Sequence, residues 1–232
     1  GVAFCWGFSS LMVFVALPLF MKELGASNST VGWVEGVALG ASFFTKVLTG
    51  VASDHWKRRK PFIWAGAAGT VAVKAFFACA QGLAMVQWAR ILDRFSKGVR
   101  TAPADALVAD LAVPQHRGAA FSLKQSLWTL GSACGALVSG VLLARDAEGF
   151  RLIFTLSAVP ALMALGLLQW GVKEGVHRPL QSHAPGEKKG FQIKALRTLP
   201  RLFWQFLAIV FVLMLARFSE VFLTLHAKEV GW

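Results

Sequence analysis

Apolar residues in this chain fall into seven blocks of about 20 residues each, and that sets the fold more firmly than any other feature. A hydrocarbon core of about 30 Å is crossed by a helix of about 20 apolar residues. The blocks cover about 2–20, 30–52, 61–80, 82–111, 119–144, 150–172 and 202–225. Of the 232 residues, 56% are hydrophobic and 16% charged, where a soluble domain carries about 25% charged residues. The expected fold class is all-α, a polytopic transmembrane helix bundle.

The block at 82–111 breaks the pattern. Its stretch 88–110, WARILDRFSKGVRTAPADALVAD, carries Arg90, Asp93, Arg94, Lys97, Arg100, Asp105 and Asp110. A charge inside a bilayer costs a few kcal/mol on insertion scales, so it serves a site or a structural pairing. At about 100° per residue, Arg90, Arg94, Lys97, Asp105, Asp93 and Arg100 share one arc of roughly 140°. Ile91, Leu92, Phe95, Val99 and Ala102 take the opposite arc. Such a helix either spans or lies on the surface as a basic amphipathic helix.

Loop charge decides between the two. Lys57, Arg58, Arg59 and Lys60 follow the second block and Arg117 the fourth. Lys173, Arg178, Lys188, Lys189, Lys194, Arg197 and Arg201 follow the sixth, whereas the opposite loops hold only Lys22, Arg145 and Arg151. If 82–111 spans, all basic loops share one side; if it does not, the most basic loop lies outside, against the positive-inside bias. The spanning reading puts the N-terminus in the cytoplasm and the protein in the cell (inner or plasma) membrane. It also explains the formal net charge of +12, which in a soluble protein would suggest nucleic acid; no nucleic-acid partner is expected.

Connections and packing signals follow the same plan. Residues 25–30 form a polar turn whose Ser, Asn and Thr side chains suit a helix cap. The stretch 173–201, with Pro179, Pro185 and Gly186, reads as a basic cytoplasmic linker with a short amphipathic helix at 191–199. Gly32, Gly36 and Gly40, and Gly131, Gly135 and Ser139, recur every four residues, a spacing that lets helix backbones approach closely. Trp33, Trp56, Trp64, Trp170, Trp204 and Trp232 lie near block ends as interfacial anchors. Cys5, Cys79 and Cys134 lie inside apolar runs with no paired spacing, and read as free thiols between helices. The sequence opens on Gly1 inside an apolar run with no initiator Met and no signal peptide, pointing to a chain that begins earlier.

Further charges sit within the blocks: Glu35, Lys46, Lys74, Lys124, and Arg217 with Glu220. Glu35 and Lys46 are some 16 Å apart along one helix, so each needs a partner elsewhere. Arg217 and Glu220, three apart, share a face and can pair. Lys124, close to a block end, reads as structural. The buried set leans basic, which points to a cavity for an anionic or zwitterionic solute.

The loop after the second block reads Gly50-Val-Ala-Ser-Asp54-His-Trp-Lys-Arg58-Arg59-Lys60. It resembles the signature of the major facilitator superfamily, Gly-x-x-x-Asp-(Arg/Lys)-x-Gly-(Arg/Lys)-(Arg/Lys). Gly50, Asp54, Arg58 and Arg59 match, while His55 and Lys57 replace a basic residue and a Gly. Arg94-x-x-Lys97-Gly98 is similar to the family's fourth-helix pattern Arg-x-x-Gln-Gly, with Lys97 in place of Gln. Pro114-x-x-Arg117-Gly118 looks like its fourth-to-fifth loop. Gly131-Ser-Ala-Cys-Gly135 departs from the antiporter pattern, with Ala136 where Pro is usual.

The resemblance implies a six-helix N-terminal bundle (1–172), the linker (173–201) and the first helix of a truncated C-terminal bundle (202–232), with Lys22–Gly25 echoed by 228–231. The missing C-terminal half would complete the protein. The implied activity is secondary transport of a small-molecule solute by alternating access across the lipid bilayer, with protons as coupling ion. Gly50, Asp54, Arg58 and Arg59 would form a conformational latch. Asp93 with Arg94 would couple protons, and Arg90, Lys97, Glu35, Arg217 and Glu220 are the other transport candidates. The competing readings are a multidrug exporter of the same fold and a non-transporting membrane receptor or scaffold. No nucleophile–base set or metal-ligand cluster stands out, so neither an enzyme nor a cofactor is expected.

Overall fold

The computed structural model describes residues 1–145, 149–171 and 200–216. They are helical almost throughout: α1 (Val2–Glu23), α2 (Asn28–His55), α3 (Lys60–Ala78), α4 (Leu83–Leu111), α5 (Arg117–Arg145), α6 (Phe150–Gly171) and α7 (Arg201–Ala216), with a 3-10 turn at Pro114–His116. The chain divides into two units, Gly1–Arg178 with α1–α6 and Pro179–Trp232 with α7. The linker 173–199, its expected short helix, the echo at 228–231, and Arg217 and Glu220 lie outside the described residues. Of the expected seventh span, the described part is one apolar helix.

Local signals set the boundaries. Ser27 Oγ accepts from the Thr30 N–H at 3.1 Å and caps α2, as the polar turn predicts. Pro61 sits in the first turn of α3, where its missing N–H costs nothing. The helices α1, α2, α3, α5 and α6 are each long and apolar enough to cross a membrane. The interfacial tryptophans Trp33, Trp56, Trp64, Trp170 and Trp204 are exposed.

The first unit is built on parallel pairs of helices that are not neighbours in sequence. Along α1 and α5, a Cβ at Gly131 would overlap the Phe4 carbonyl, and one at Gly135 the Phe8 carbonyl. One turn further, Ser139 Oγ donates to the Met12 carbonyl at 3.1 Å. The contacts advance four residues at a time on both helices, so the two run in the same direction with backbones touching, as small residues at that spacing allow. Helix α6 runs antiparallel to α1: Phe20 packs on Phe150 and Phe154, and Ser9 Oγ donates to the Ser157 carbonyl at 2.7 Å.

Helix α4 lies inside the bundle. It packs mainly on α2 and α3 and touches them over most of its length, from Arg90 against Glu35, through Gly98 against Ser42, to Asp110 against Arg59. Helix α4 runs beside α2 and α3, both apolar enough to cross a membrane, from Arg90 to Asp110, as the spanning reading requires. Its charged arc faces inward, with Arg90, Asp93 and Arg100 buried, while Leu92 and Phe95 on the opposite arc are 43% and 49% exposed. This is an inside-out helix, polar within the bundle and apolar without.

Several expectations are corrected. Among the described residues, Gly36 and Gly40 have no neighbour where a Cβ would stand, and Gly32 and Gly36 line an open groove rather than a close helix contact. Lys46 is exposed on α2 instead of buried. The tight α2–α4 approach is at Gly98, whose Cβ would come within 2.8 Å of the Ser42 carbonyl, whereas Gly50 makes ordinary contact with Ala102 at 3.4 Å. All three thiols are free, but Cys79 is exposed at the end of α3 rather than packed between helices.

Gly135→Val is expected to force α1 off α5 and to cost roughly 3 kcal/mol, the upper range for overpacking. A detergent thermal-unfolding scan should show the lowered midpoint.

Candidate functional site

Three helices assemble a charged cluster that no single segment of sequence displays. Arg90 Nε of α4 donates to Glu35 Oε1 of α2 at 2.6 Å, and Arg90 Nη2 stands 2.6 Å from the same oxygen as an ion pair. The second oxygen of Glu35 lies 3.6 Å from Arg94 Nη2. Asp93 lies 3.4 Å from Lys74 Nζ of α3, and its other oxygen 3.9 Å from Arg90 Nη1. Arg100 Nη1 donates to Thr70 Oγ1 at 2.9 Å. Glu35, Lys74, Arg90, Asp93 and Arg100 are all buried. The spacing explains the convergence: residues three and four apart on α4 point to one face, and α2 and α3 flank that face.

The pairing differs from the expected one. Asp93 does not pair with Arg94; its partners are Lys74 and Arg90, while Arg94 turns to Glu35. Lys124 bonds to Asp105, as a structural pair near the end of the helices.

Aromatic side chains from α1 and α5 complete the cluster. The guanidinium carbons of Arg90 and Arg94 lie 5.5 and 6.0 Å from the centre of the Phe14 ring. Lys97 Nζ is 5.4 Å from the Trp128 ring centre, and the Arg100 guanidinium 4.6 Å from that of Trp6. These are cation–π distances. Lys97 and Arg100 make no ion pair among the described residues, so five cations (Lys74, Arg90, Arg94, Lys97, Arg100) meet only two carboxylates (Glu35, Asp93). Sequence reasoning missed Phe14, Trp6 and Trp128. The available signal was that Trp128 stands mid-helix in α5, away from the block ends where tryptophans anchor.

A second charged site lies where α2 ends and α3 begins. Arg59 Nη1 is 3.2 Å from Asp54 Oδ1, and its Nε is 2.6 Å from Asp110 Oδ2 at the end of α4. One arginine thus ties three helix ends together. Asp110 was not expected in this role, although the topology brings the end of α4 beside that loop. Arg58 is exposed and joins neither pair. Lys57 adopts φ 51°, the left-handed region that glycine prefers.

The sequence profile of the Major Facilitator Superfamily matches residues 1–232. The chain belongs to that family. An uncharacterized MFS-type transporter of Methanocaldococcus jannaschii is 28% identical over 221 residues, 95% of this chain and 53% of the relative. A probable 4-methylmuconolactone transporter of Cupriavidus pinatubonensis is 29% identical over 202 residues, 83% of this chain and 46% of the relative. A crystal structure of a peptide transporter POT mutant in complex with sulfate matches 97% of this chain and 48% of its own, with TM-score 0.53 and 17% identity, which shows a shared fold. The chain spans about half the length of these relatives. In the family signature the position of Lys57 is a glycine, and its left-handed backbone here is the physical reason for that preference.

Two outcomes are expected. Glu35→Gln removes the carboxylate that Arg90 and Arg94 share, leaves Arg90 only the longer contact with Asp93, and should cost about 3 kcal/mol; adding Arg90→Met should recover part of that loss in the same unfolding assay. Lys57→Gly should relieve the left-handed strain and raise stability by up to about 1 kcal/mol, seen as a higher midpoint.

Proposed function

We propose that this chain is the first half of a proton-coupled secondary transporter that carries a small organic anion or zwitterion through the membrane by alternating access. In this reading 1–172 is the N-terminal six-helix bundle, 173–201 a cytoplasmic linker and 202–232 the start of a second bundle. The N-terminus and the α2–α3 loop lie in the cytoplasm, the side that collects basic residues.

The observation that carries the solute class is the excess of cations on the inner face of α4. Charge held inside a membrane protein and left unmatched is expensive, and an anionic solute supplies the missing counter-charge when it binds. A relative named as a probable 4-methylmuconolactone transporter favours the same class, since a muconolactone is a small organic acid. Coupling is assigned to Asp93 with Lys74. Both are buried and 3.4 Å apart, so a proton delivered to the carboxylate removes the attraction that holds α3 to α4 at this level. The Asp54–Arg59–Asp110 cluster is the latch: its three helix ends part or close as the cytoplasmic side opens. Arg217 and Glu220 remain candidates for the wall contributed by the seventh helix.

In proteoliposomes holding the full-length transporter, Asp93→Asn should abolish uphill uptake driven by a pH gradient while leaving solute exchange without a gradient. Undiminished pH-driven uptake in this variant would remove the coupling role.

A further inference from the structure

The cations on the inner side of α4 fall into two tiers. In the first, Arg90 and Arg94 of α4 share Glu35 and the Phe14 ring, and Lys74 of α3 pairs with Asp93. In the second, toward the C-terminal end of α4, Lys97 and Arg100 have aromatic rings and, among the described residues, no carboxylate at ion-pair distance. The distinction matters because a carboxylate cancels a cation's charge, whereas a ring face attracts the cation through its quadrupole and leaves the net charge intact.

The backbone shows why the two rings stand at one level. A Cβ on Gly7 would collide with the Trp128 carbonyl and approach Ser132, so the residue after Trp6 lies directly on the peptide of Trp128. The α1–α5 contact therefore delivers both indoles together, opposite two cations three residues apart on α4. Arg100 is buried, 4% exposed, and among the described residues its side-chain acceptor is the neutral Thr70 hydroxyl. Lys97 is only half-buried, which leaves its ammonium able to reach a bound group.

Resting on the anionic reading above, we propose that Trp128 and Trp6 are positioning residues that hold Lys97 and Arg100 without neutralising them, and that this aromatic-backed tier is the subsite for the solute's carboxylate. Lys97 contacts the anion, Arg100 adds its field from behind, and Trp128 fixes where the Lys97 ammonium waits. Replacing the ring with an aliphatic side chain frees the lysine to wander or to turn toward Asp93. Affinity for the anion falls while the translocation step remains.

Uptake of labelled benzoate and 4-methylmuconolactone by the full-length transporter in proteoliposomes tests this. Trp128→Leu should raise KM about fivefold or more with maximal rate and melting temperature retained, and Trp128→Phe, which keeps a ring, about twofold. Lys97→Gln should raise KM as well, and Trp128→Leu added to it should change nothing further. Additive effects, or a fall in maximal rate and melting temperature with KM unchanged, would overturn the subsite and leave the anionic reading standing. Saturable uptake of cations but of neither anion by the unsubstituted protein would overturn both. If Trp128→Leu does not insert, the cycle of Trp128→Phe with Lys97→Gln reads the same coupling at smaller amplitude.

Discussion

The Glu35–Arg90 contact is the interaction on which the rest of the first unit depends. Arg90 Nε donates to one oxygen of Glu35 at 2.6 Å, with Nη2 as close to the same oxygen, between helices that carry their charge in an apolar medium. Without that partner, Arg90 would be a buried cation at large cost, and the charged arc of α4 could not face inward. Because it can, Leu92 and Phe95 are free to face outward, and the helix with most charges becomes a spanning element. The pair also sets the register of α2 against α4, which then brings Gly98 onto Ser42 and Asp110 to Arg59.

Two kinds of adhesion divide the bundle. Helices α1 and α5 are joined by backbone on backbone, through Gly7, Gly131 and Gly135, with no charge involved. Helices α2, α3 and α4 are joined by ion pairs and hydrogen bonds to Thr70, and by the close approach at Gly98. The first kind is insensitive to protons and solutes. The second depends on charge, so any change of charge in the network alters the energy of its pairs. Dispersion contacts hold the frame, and electrostatics confers responsiveness.

Much of this was legible in the residues. Block lengths anticipated the six helices of the first unit, the charged one at 82–111 among them. Periodicity found the inward arc of α4 and the α1-facing row on α5. Pairing was not legible, because the partner of a buried charge depends on rotation and tilt that period alone does not set: Asp93 goes to Lys74 on α3 rather than to the adjacent Arg94. The row Gly32, Gly36 and Gly40 has the same spacing as Gly131 and Gly135, yet borders open space. Small residues permit close approach, and only the surrounding topology decides whether a helix arrives. Trp6, Phe14 and Trp128 escaped notice because an aromatic residue in an apolar run looks like any other core residue until a cation is placed over it.

Lys46 carries a consequence for the bilayer beside α2. It stands nine residues from the end of α2, about 14 Å along the helix, exposed beside the exposed Phe43 and Val47. Its stem runs along the helix and carries the ammonium part of that way toward the headgroups, while Phe43 and Val47 keep the same flank apolar. Lipid against this flank would meet both, and would thin or admit water at the lysine.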